Sequence, residues 1–214
     1  RDHFPVPDAL IIGEPSGWDR VTLGYKGCVT YTITAETDTA HPASDKTNAC
    51  EIAIAAWDAI VEWTRELNAS RSRAFEQLNP TLRAMQSDGN GLRERAQLRV
   101  TFRLPEGLAV SDVHSKVHQL TGAGIKVEAL PGPVPAYRAP KNTALVRAAL
   151  AAIRAEGGAP RFVVKTGTSD MNMVAPAWGC QTIAYGPGDS SLDHTPEEHI
   201  SLTEFQHSIV VLRD

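Results

Sequence analysis

The stretch that indicates the fold most directly is Ala9-Leu10-Ile11-Ile12-Gly13-Glu14-Pro15-Ser16, an apolar run that ends in a glycine and a carboxylate. Four consecutive apolar residues are typical of a strand that is buried on both faces of a parallel sheet. Open α/β sheets bind their ligands beyond the carboxyl ends of such strands. Glu14 is therefore a candidate site residue, although a solvated loop carboxylate fits the same local pattern.

The residues that follow predict a small α/β module. From Tyr25 to Ala35, apolar residues alternate with threonines, as in a half-buried strand. Residues 48–67 carry apolar side chains at helical spacing, and Asn48 or Thr47 can serve as the N-cap. The further predicted elements are strands at 81–86, 97–104 and 125–130 and a helix that Ser111 caps. The order β-α-β-β-α-β is that of the split βαβ, ferredoxin-like module.

A proline-rich connector at residues 130–140 marks the end of this module. Beyond it the predicted elements are helices at 142–156 and 202–212 and strands at 162–165 and 181–185. Alternating strands and helices indicate a three-layer α/β body. We therefore predict a module at residues 26–137 that is inserted into a larger domain formed by residues 1–25 and 138–214.

Composition excludes several classes of protein. The 214 residues have a formal net charge of −4 and no apolar run that approaches the length of a membrane span. The three cysteines are far apart and form no CxxC pair, which favours free thiols in a reducing compartment. We predict a cytoplasmic protein with neither a membrane nor a nucleic acid as its partner.

Two more loops follow predicted strands and carry polar side chains. Residues 165–170 offer a lysine, three hydroxyls and backbone N–H groups, which suit a carboxylate or a phosphate, or equally a capped turn. Residues 189–196 include His194, which fits a zinc ligand or an ordinary surface histidine. Because all three loops follow predicted strands, they are expected to lie together at one binding site at the same edge of the sheet.

Four motifs carry a resemblance to a known family: Gly13-Glu14-Pro15-Ser16, Tyr25-Lys26-Gly27, Gly167-Thr168-Ser169-Asp170 and the segment 193–200. They resemble the dinuclear-zinc amidohydrolases that include succinyl-diaminopimelate desuccinylase and acetylornithine deacetylase. The longer strings at 12–19, 23–27 and 165–172 are most similar to the branch that releases lysine or ornithine from an amino-group carrier protein. Alternatives are a small-molecule N-acyl-amino-acid deacylase and a non-catalytic dimerising fragment.

The resemblance implies a fold and a set of site residues. The fold is a zinc-peptidase-like catalytic domain with an inserted ferredoxin-like lid, which forms a homodimer. Glu14 and His194 would be ligands of zinc, at two ions per subunit with cobalt as a substitute, and His41 would hold the scissile carbonyl in the partner subunit's site. A structural role in its loop is the alternative for His41. The implied substrate-binding residues are Lys26, Asn90, Arg103, Lys165, Thr168 and Ser190.

The resemblance also implies residues that this chain does not supply. The family's first metal-binding histidine, bridging aspartate, general-base glutamate and next metal-binding glutamate all precede the strand at Ile11, and no His-x-Asp or Glu-Glu pair precedes Glu14 here. We therefore expect part of the metal site to lie upstream of residue 1 and the chain alone to be inactive.

One segment of the predicted lid is basic, and the rest of the chain is acidic. Between Thr64 and Arg103 there are eight arginines against four carboxylates, or +4, and the remainder carries 13 basic and 21 acidic residues, or −8. This polarity predicts that the lid docks an acidic carrier protein. The alternative is that these arginines lie scattered on a solvated face or pair with the lid's own acids.

Overall fold

The computed structural model describes residues 5–41 and 43–213, and the chain divides into two compact units. Gly27–Ala136 form the central unit, and residues 5–26 with 137–213 form the split unit. The strands are β1 (Ala9–Gly13), β2 (Arg20–Tyr25), β3 (Gly27–Asp38), β4 (Asn79–Gly89), β5 (Arg93–Leu104), β6 (Ile125–Ala129), β7 (Tyr137–Arg138), β8 (Arg161–Lys165) and β9 (Gln181–Tyr185). The helices are α1 (Ala49–Asn68), α2 (Val110–Thr121), α3 (Ala144–Ala155), α4 (Met171–Trp178) and α5 (Leu202–Arg213). None of the described helices is long and apolar enough to cross a membrane.

The split unit contains a mixed sheet of β1, β9, β2, β7 and β8. β1 runs parallel to β9, β9 is antiparallel to β2, and β2 pairs with parallel β8 and with antiparallel β7. The register of β2 against β8 shifts between Thr22 and Gly24. The predicted α/β class is thereby confirmed.

Helices cover both faces of this mixed sheet. Val21 and Leu23 on β2 belong to a buried cluster with residues of α3 and α5, and Tyr25 belongs to a second cluster with Met171 and Ala175 of α4. Strict alternation would place all three side chains on one face, because they stand two residues apart. The register shift between Thr22 and Gly24 interrupts the alternation, so β2 contributes to both clusters. The split unit therefore has three layers, with α3 and α5 on one face and α4 on the other.

The prediction that β1 is buried on both faces is wrong for the described residues. Ala9 and Ile11 are exposed, while Leu10 and Ile12 are half-buried. The physical reason is the strand's position at the end of the sheet order, where it pairs only with β9 among the described strands. An apolar run alone does not distinguish such an edge strand from a central one.

The central unit is an antiparallel sheet in the order β4-β5-β3-β6, with α1 and α2 packed on it. Val29, Tyr31 and Ile33 on β3 point into one buried cluster, which also receives side chains of β5, α1 and α2. Each fully buried large apolar side chain in such a cluster contributes about 1.5–3 kcal/mol. The alternating threonines of β3 lie on the opposite face of the sheet.

Local capping and strand breaks differ in part from the predictions. The capping box of Asn48 and Glu51 at the start of α1 is present, which confirms Asn48 as the N-cap. The predicted cap Ser111 is wrong, because α2 begins after Ala109, which makes no side-chain capping bond. The single strand predicted from Tyr25 is two strands, β2 and β3, separated at Lys26.

Candidate functional site

Glu14 lies directly after β1 and is held against the loop that follows β9. The backbone N–H of Glu14 donates to the carbonyl of Tyr185 at 3.4 Å, and that of Ser16 donates to the carbonyl of Gly186 at 2.9 Å. A Cβ atom at Gly186 would lie 2.8 Å from the carbonyl oxygen of Glu14, closer than real Cβ atoms approach. The glycine at position 186 therefore permits the two loops to meet at Glu14.

The carboxylates of Asp170 and Asp193 lie close enough to Glu14 to affect its pKa, and the three are called the Glu14 cluster. Burial raises the pKa of the half-buried Glu14, the nearby Asp170 and Asp193 raise it further, and Lys165 lowers it. Like charges in a partly desolvated place repel each other, and a bound cation would relieve that repulsion. The electrostatics of this cluster therefore favour a cation.

The loop of His194 reaches this cluster through its neighbour Asp193. His194 has φ 61°, and it is the only residue other than glycine with positive φ among the described residues. Its backbone N–H donates to Oε2 of Glu198 at 2.8 Å, which holds the turn. Residues in this left-handed region cluster at functional sites, where the surrounding structure stabilises them.

The donor atoms of Glu14 and His194 form an incomplete metal site. Within residues 5–41 and 43–213, no group of three or more histidines, cysteines or carboxylates is arranged to hold a metal ion. Glu14 and His194 match zinc in donor type, but a catalytic zinc ion has three protein ligands. These residues alone do not complete a zinc site.

Lys165 and Ser190 form a polar pair in the split unit. The ammonium of Lys165, at the end of β8, donates to Oγ of Ser190. Burial lowers the pKa of Lys165, while Asp189, Asp193 and Glu14 raise it in part. A lysine beside a hydroxyl is a suitable binding site for a carboxylate.

The loop after β8 is fastened to the end of β2. Asn172 is buried, its Oδ1 accepts from the N–H of Ser169 at 3.0 Å, and its Nδ2 donates to the carbonyls of Tyr25 at 3.2 Å and Lys26 at 3.3 Å. The hydroxyl of Thr168 also donates to the Lys26 carbonyl, at 2.8 Å. Lys26 itself is fully buried and has interaction partners.

The central unit holds the other predicted site residues. His41 is exposed, lines a cavity of about 310 Å³, and accepts at Nδ1 from the N–H of Ala43 at 3.1 Å. A neutral imidazole that accepts at Nδ1 carries its hydrogen on Nε2 and can donate from there. Asn90 stabilises the β4–β5 turn, where Oδ1 accepts from the N–H groups of Leu92 and Arg93. Arg103 is half-buried on β5.

Sequence reasoning missed several residues that the structure places beside the predicted ones. Asp170 and Asp193 stand inside the motifs that carried the resemblance, so their positions were a usable signal. The carboxylate of Glu204 accepts a hydrogen bond from the backbone N–H of Trp18. The two residues are 186 positions apart in the sequence, and no local pattern predicts that contact.

Comparisons with known proteins agree with this fold. Residues 3–214 match the family described as Peptidase family M20/M25/M40. The LysW-lysine hydrolase of Deinococcus radiodurans is 43% identical over 216 residues, which cover 99% of this chain and 59% of that protein. The LysW-lysine/LysW-ornithine hydrolase of Sulfurisphaera tokodaii is 28% identical, over 91% of this chain and 54% of that protein.

A solved structure shares the fold as well. The M20 family metallo-carboxypeptidase Sso-CP2 of Sulfolobus solfataricus superposes with a TM-score of 0.72 at 17% identity, over 95% of this chain and 62% of that one. The chain spans between about half and three fifths of the relatives it matches in sequence. The family match extends over nearly every residue, and the chain therefore belongs to peptidase family M20/M25/M40.

Proposed function

We propose that the protein containing this chain is a metal-dependent amide hydrolase that releases lysine or ornithine from an amino-group carrier protein. The observation that carries the proposal is the carboxylate cluster at Glu14, beside the Lys165–Ser190 pair. Carboxylates that favour a metal ion would lie beside a pair that can bind a carboxylate. This combination suits hydrolysis of an amide whose amine is the α-amino group of an amino acid, because the amino acid brings its own carboxylate. The names of the relatives, which join LysW to lysine or ornithine, supply the substrate class.

Glu14 and His194 are the zinc ligands in this proposal, at a site that takes two ions and accepts cobalt in their place. When bound, zinc supplies a Lewis acid and a water of lowered pKa. Lys165 and Ser190 bind the α-carboxylate of the amino acid, and Thr168 positions their loop through its bond to the Lys26 carbonyl.

His41 is the catalytic residue of the central unit. The bond from the Ala43 N–H to Nδ1 leaves Nε2–H as a donor for the oxyanion that develops on the amide oxygen. In a homodimer this donor would serve the partner subunit's site, with Asn90 and Arg103 as further substrate contacts.

We further propose that residues 26–137 are a ferredoxin-like lid that dimerises and that residues 1–25 and 138–214 belong to the catalytic domain. β4 and β6 are the two edges of the central sheet, and most of β4 is exposed. An open strand edge can pair with a second copy of itself. Light scattering of the full-length protein should give the mass of a dimer, and a monomer at high concentration would contradict this.

The acidic carrier protein is proposed to dock on the central unit's arginines. Some of these already pair within the unit: Arg65 with Glu62 at 2.5 Å, Arg93 with Asp38 at 3.5 Å and Arg95 with Glu36 at 3.7 Å. Arg83 and Arg99 are exposed and make no ion pair with any described residue. These two are therefore the strongest docking candidates.

The test is an assay of the full-length protein with lysine joined to the acidic carrier protein and with a small acyl-lysine. We expect turnover of the carrier-linked substrate, and we expect His194→Ala to abolish it. His199→Ala is the matched control, because His199 lies in the same loop and, among the residues that the structure describes, its ring bonds only to the carbonyl of Glu197, through Nδ1 at 2.7 Å. Preference for the small substrate would replace the proposal with a small-molecule deacylase.

A further inference from the structure

The Lys165–Ser190 pair opens into a cavity of about 360 Å³ in the split unit. Its charged lining residues are Asp19, Arg20, Arg161, Lys165, Asp189 and Glu204, three basic and three acidic. A cavity with balanced charges suits a ligand that carries both signs.

Most of these charges already have partners. Asp19 pairs with Nε of Arg20 at 3.6 Å and with Nη2 of Arg161 at 3.5 Å. Asp189 accepts from the N–H of Ser191 at 2.9 Å and lies close enough to Lys165 to raise its pKa. The carboxylate that remains is Glu204, which makes no ion pair with any residue in the described ranges.

Glu204 is held in one position. Its Oε1 accepts from the backbone N–H of Trp18 at 2.8 Å, and the carbonyl of Trp18 accepts from the Tyr185 hydroxyl at 2.7 Å. The indole of Trp18 stacks on the ring of His207 with centroids 4.4 Å apart. A half-buried carboxylate that is oriented in this way keeps its second oxygen for a ligand.

Both ends of β8 contribute to the lining of the cavity. Arg161 and Lys165 both line it, and they stand at the first and last positions of β8. Four residues of strand correspond to about 13 Å. The backbone N–H of Arg161 donates to the carbonyl of Asp19 at 3.1 Å, and Asp19 follows Trp18, to which Glu204 is bonded, so Glu204 lies toward the Arg161 end. The ligand that fits carries a carboxylate at the Lys165–Ser190 end, a flexible methylene chain, and a cation at the Glu204 end.

We propose that Glu204 binds the side-chain ammonium of the released amino acid and so selects lysine or ornithine over neutral amino acids of similar length. This inference rests on the proposed function, since it places the α-carboxylate of the product at Lys165 and Ser190. The ion pair with Glu204 is the element that a neutral side chain cannot form.

The test is calorimetric titration of the full-length protein with free lysine and with norleucine, which has a side chain of similar length without the ammonium. The wild-type protein should bind lysine more tightly than norleucine. Glu204→Gln keeps an oxygen for the Trp18 N–H but removes the charge, and it should weaken lysine binding by about 10- to 100-fold with little effect on norleucine. Glu66→Gln, the same change at an exposed position of α1, is the matched control and should change neither affinity.

Binding and hydrolysis separate this inference from the proposed function. Equal affinity for lysine and norleucine in the wild-type protein, or unchanged lysine affinity in Glu204→Gln, overturns the role of Glu204 even if carrier-linked lysine is hydrolysed. A charge-dependent preference for lysine without hydrolysis of the carrier-linked substrate would support the pocket and refute the proposed reaction.

Discussion

Thr168 donates its hydroxyl hydrogen to the backbone carbonyl of Lys26 across 2.8 Å. The two residues are 142 positions apart, and the bond ties the loop after β8 to the end of β2. A hydroxyl has one hydrogen to donate, so Thr168 cannot donate to a substrate carboxylate while this bond persists. We therefore assign Thr168 to positioning the loop that contains Lys165.

Removal of the Thr168 hydroxyl should loosen this loop. Thr168→Val removes a hydrogen bond to a buried carbonyl and should lower the free energy of unfolding by about 1 kcal/mol, whereas Thr168→Ser keeps the donor and should stay close to wild type. Urea denaturation of the full-length variants measures the difference. Equal stability of the valine and serine variants would show that the bond contributes nothing.

Deprotonation of Lys165 should weaken substrate binding at alkaline pH. Burial lowers its pKa from the ordinary value of 10.5, so its ammonium is lost at a lower pH than that of an exposed lysine. The Michaelis constant for the carrier-linked substrate should rise as pH increases through that lowered pKa. Lys165→Arg keeps the charge and should remove this weakening, and an unchanged alkaline profile in that variant would exclude Lys165 as its cause.

The same shift makes a prediction for stability. Between the lowered folded-state pKa and the unfolded value, the unfolded chain binds more protons than the folded one, so stability should rise with pH in this window. Lys165→Met has no such titration and should flatten that part of the curve. Chemical denaturation at several alkaline pH values measures the slope.

The isolated chain of 214 residues should neither retain stoichiometric zinc nor hydrolyse the substrate. No three donors among the described residues are arranged to hold a metal ion, and two ligands hold zinc too weakly for a catalytic site. Metal analysis after dialysis and a turnover assay test both statements. One tightly bound zinc per chain, with turnover, would contradict them.

Charge reversal at Arg83 and Arg99 should weaken binding of the substrate that is linked to the carrier protein. Both side chains are exposed without an ion pair among the described residues, so their charge is available to an acidic partner. The double change to glutamate should raise the Michaelis constant for the carrier-linked substrate roughly tenfold at low salt and less at high salt.

The control for this experiment is a pair of arginines that already have partners. Arg65→Glu with Arg73→Glu makes the same change in net charge, but these side chains pair with Glu62 and Glu76. An equal loss in both double variants would assign the effect to net charge rather than to a docking surface. An equal loss on a small acyl-lysine would indicate a folding defect.

Tyr31 and Tyr185 should respond in opposite ways to loss of the hydroxyl. The Tyr31 hydroxyl is buried with no hydrogen-bond partner among the described residues, and burial raises its pKa to about 12. The Tyr185 hydroxyl donates to the Trp18 carbonyl at 2.7 Å. Tyr31→Phe should stabilise the central unit by about 1 kcal/mol, and Tyr185→Phe should destabilise the split unit by a similar amount. Hydrogen exchange measures each unit separately, and destabilisation by Tyr31→Phe would show that its hydroxyl has a partner.

Much of the local structure was predictable because its signals are short-range. The alternation of β3 and the capping box of α1 each lie within a few residues, so periodicity and residue type were sufficient. α4 was not predicted, because it has only eight residues and contains Pro176, which is unfavourable inside a helix.

The sequence by itself determined the α/β class, the family motifs and the two candidate zinc ligands as residue types. Only the tertiary structure decided which groups lie together: Asp170 and Asp193 near Glu14, Ser190 on Lys165, and Glu204 on the backbone of Trp18. The physical reason is that hydrophobic periodicity indicates only the face of the strand or helix on which a side chain lies. Which loops lie next to each other depends on the order of the strands in the sheet. β9 lies between β1 and β2 although it is the last strand in sequence, and that order brings the loops after β1 and β9 together at Glu14.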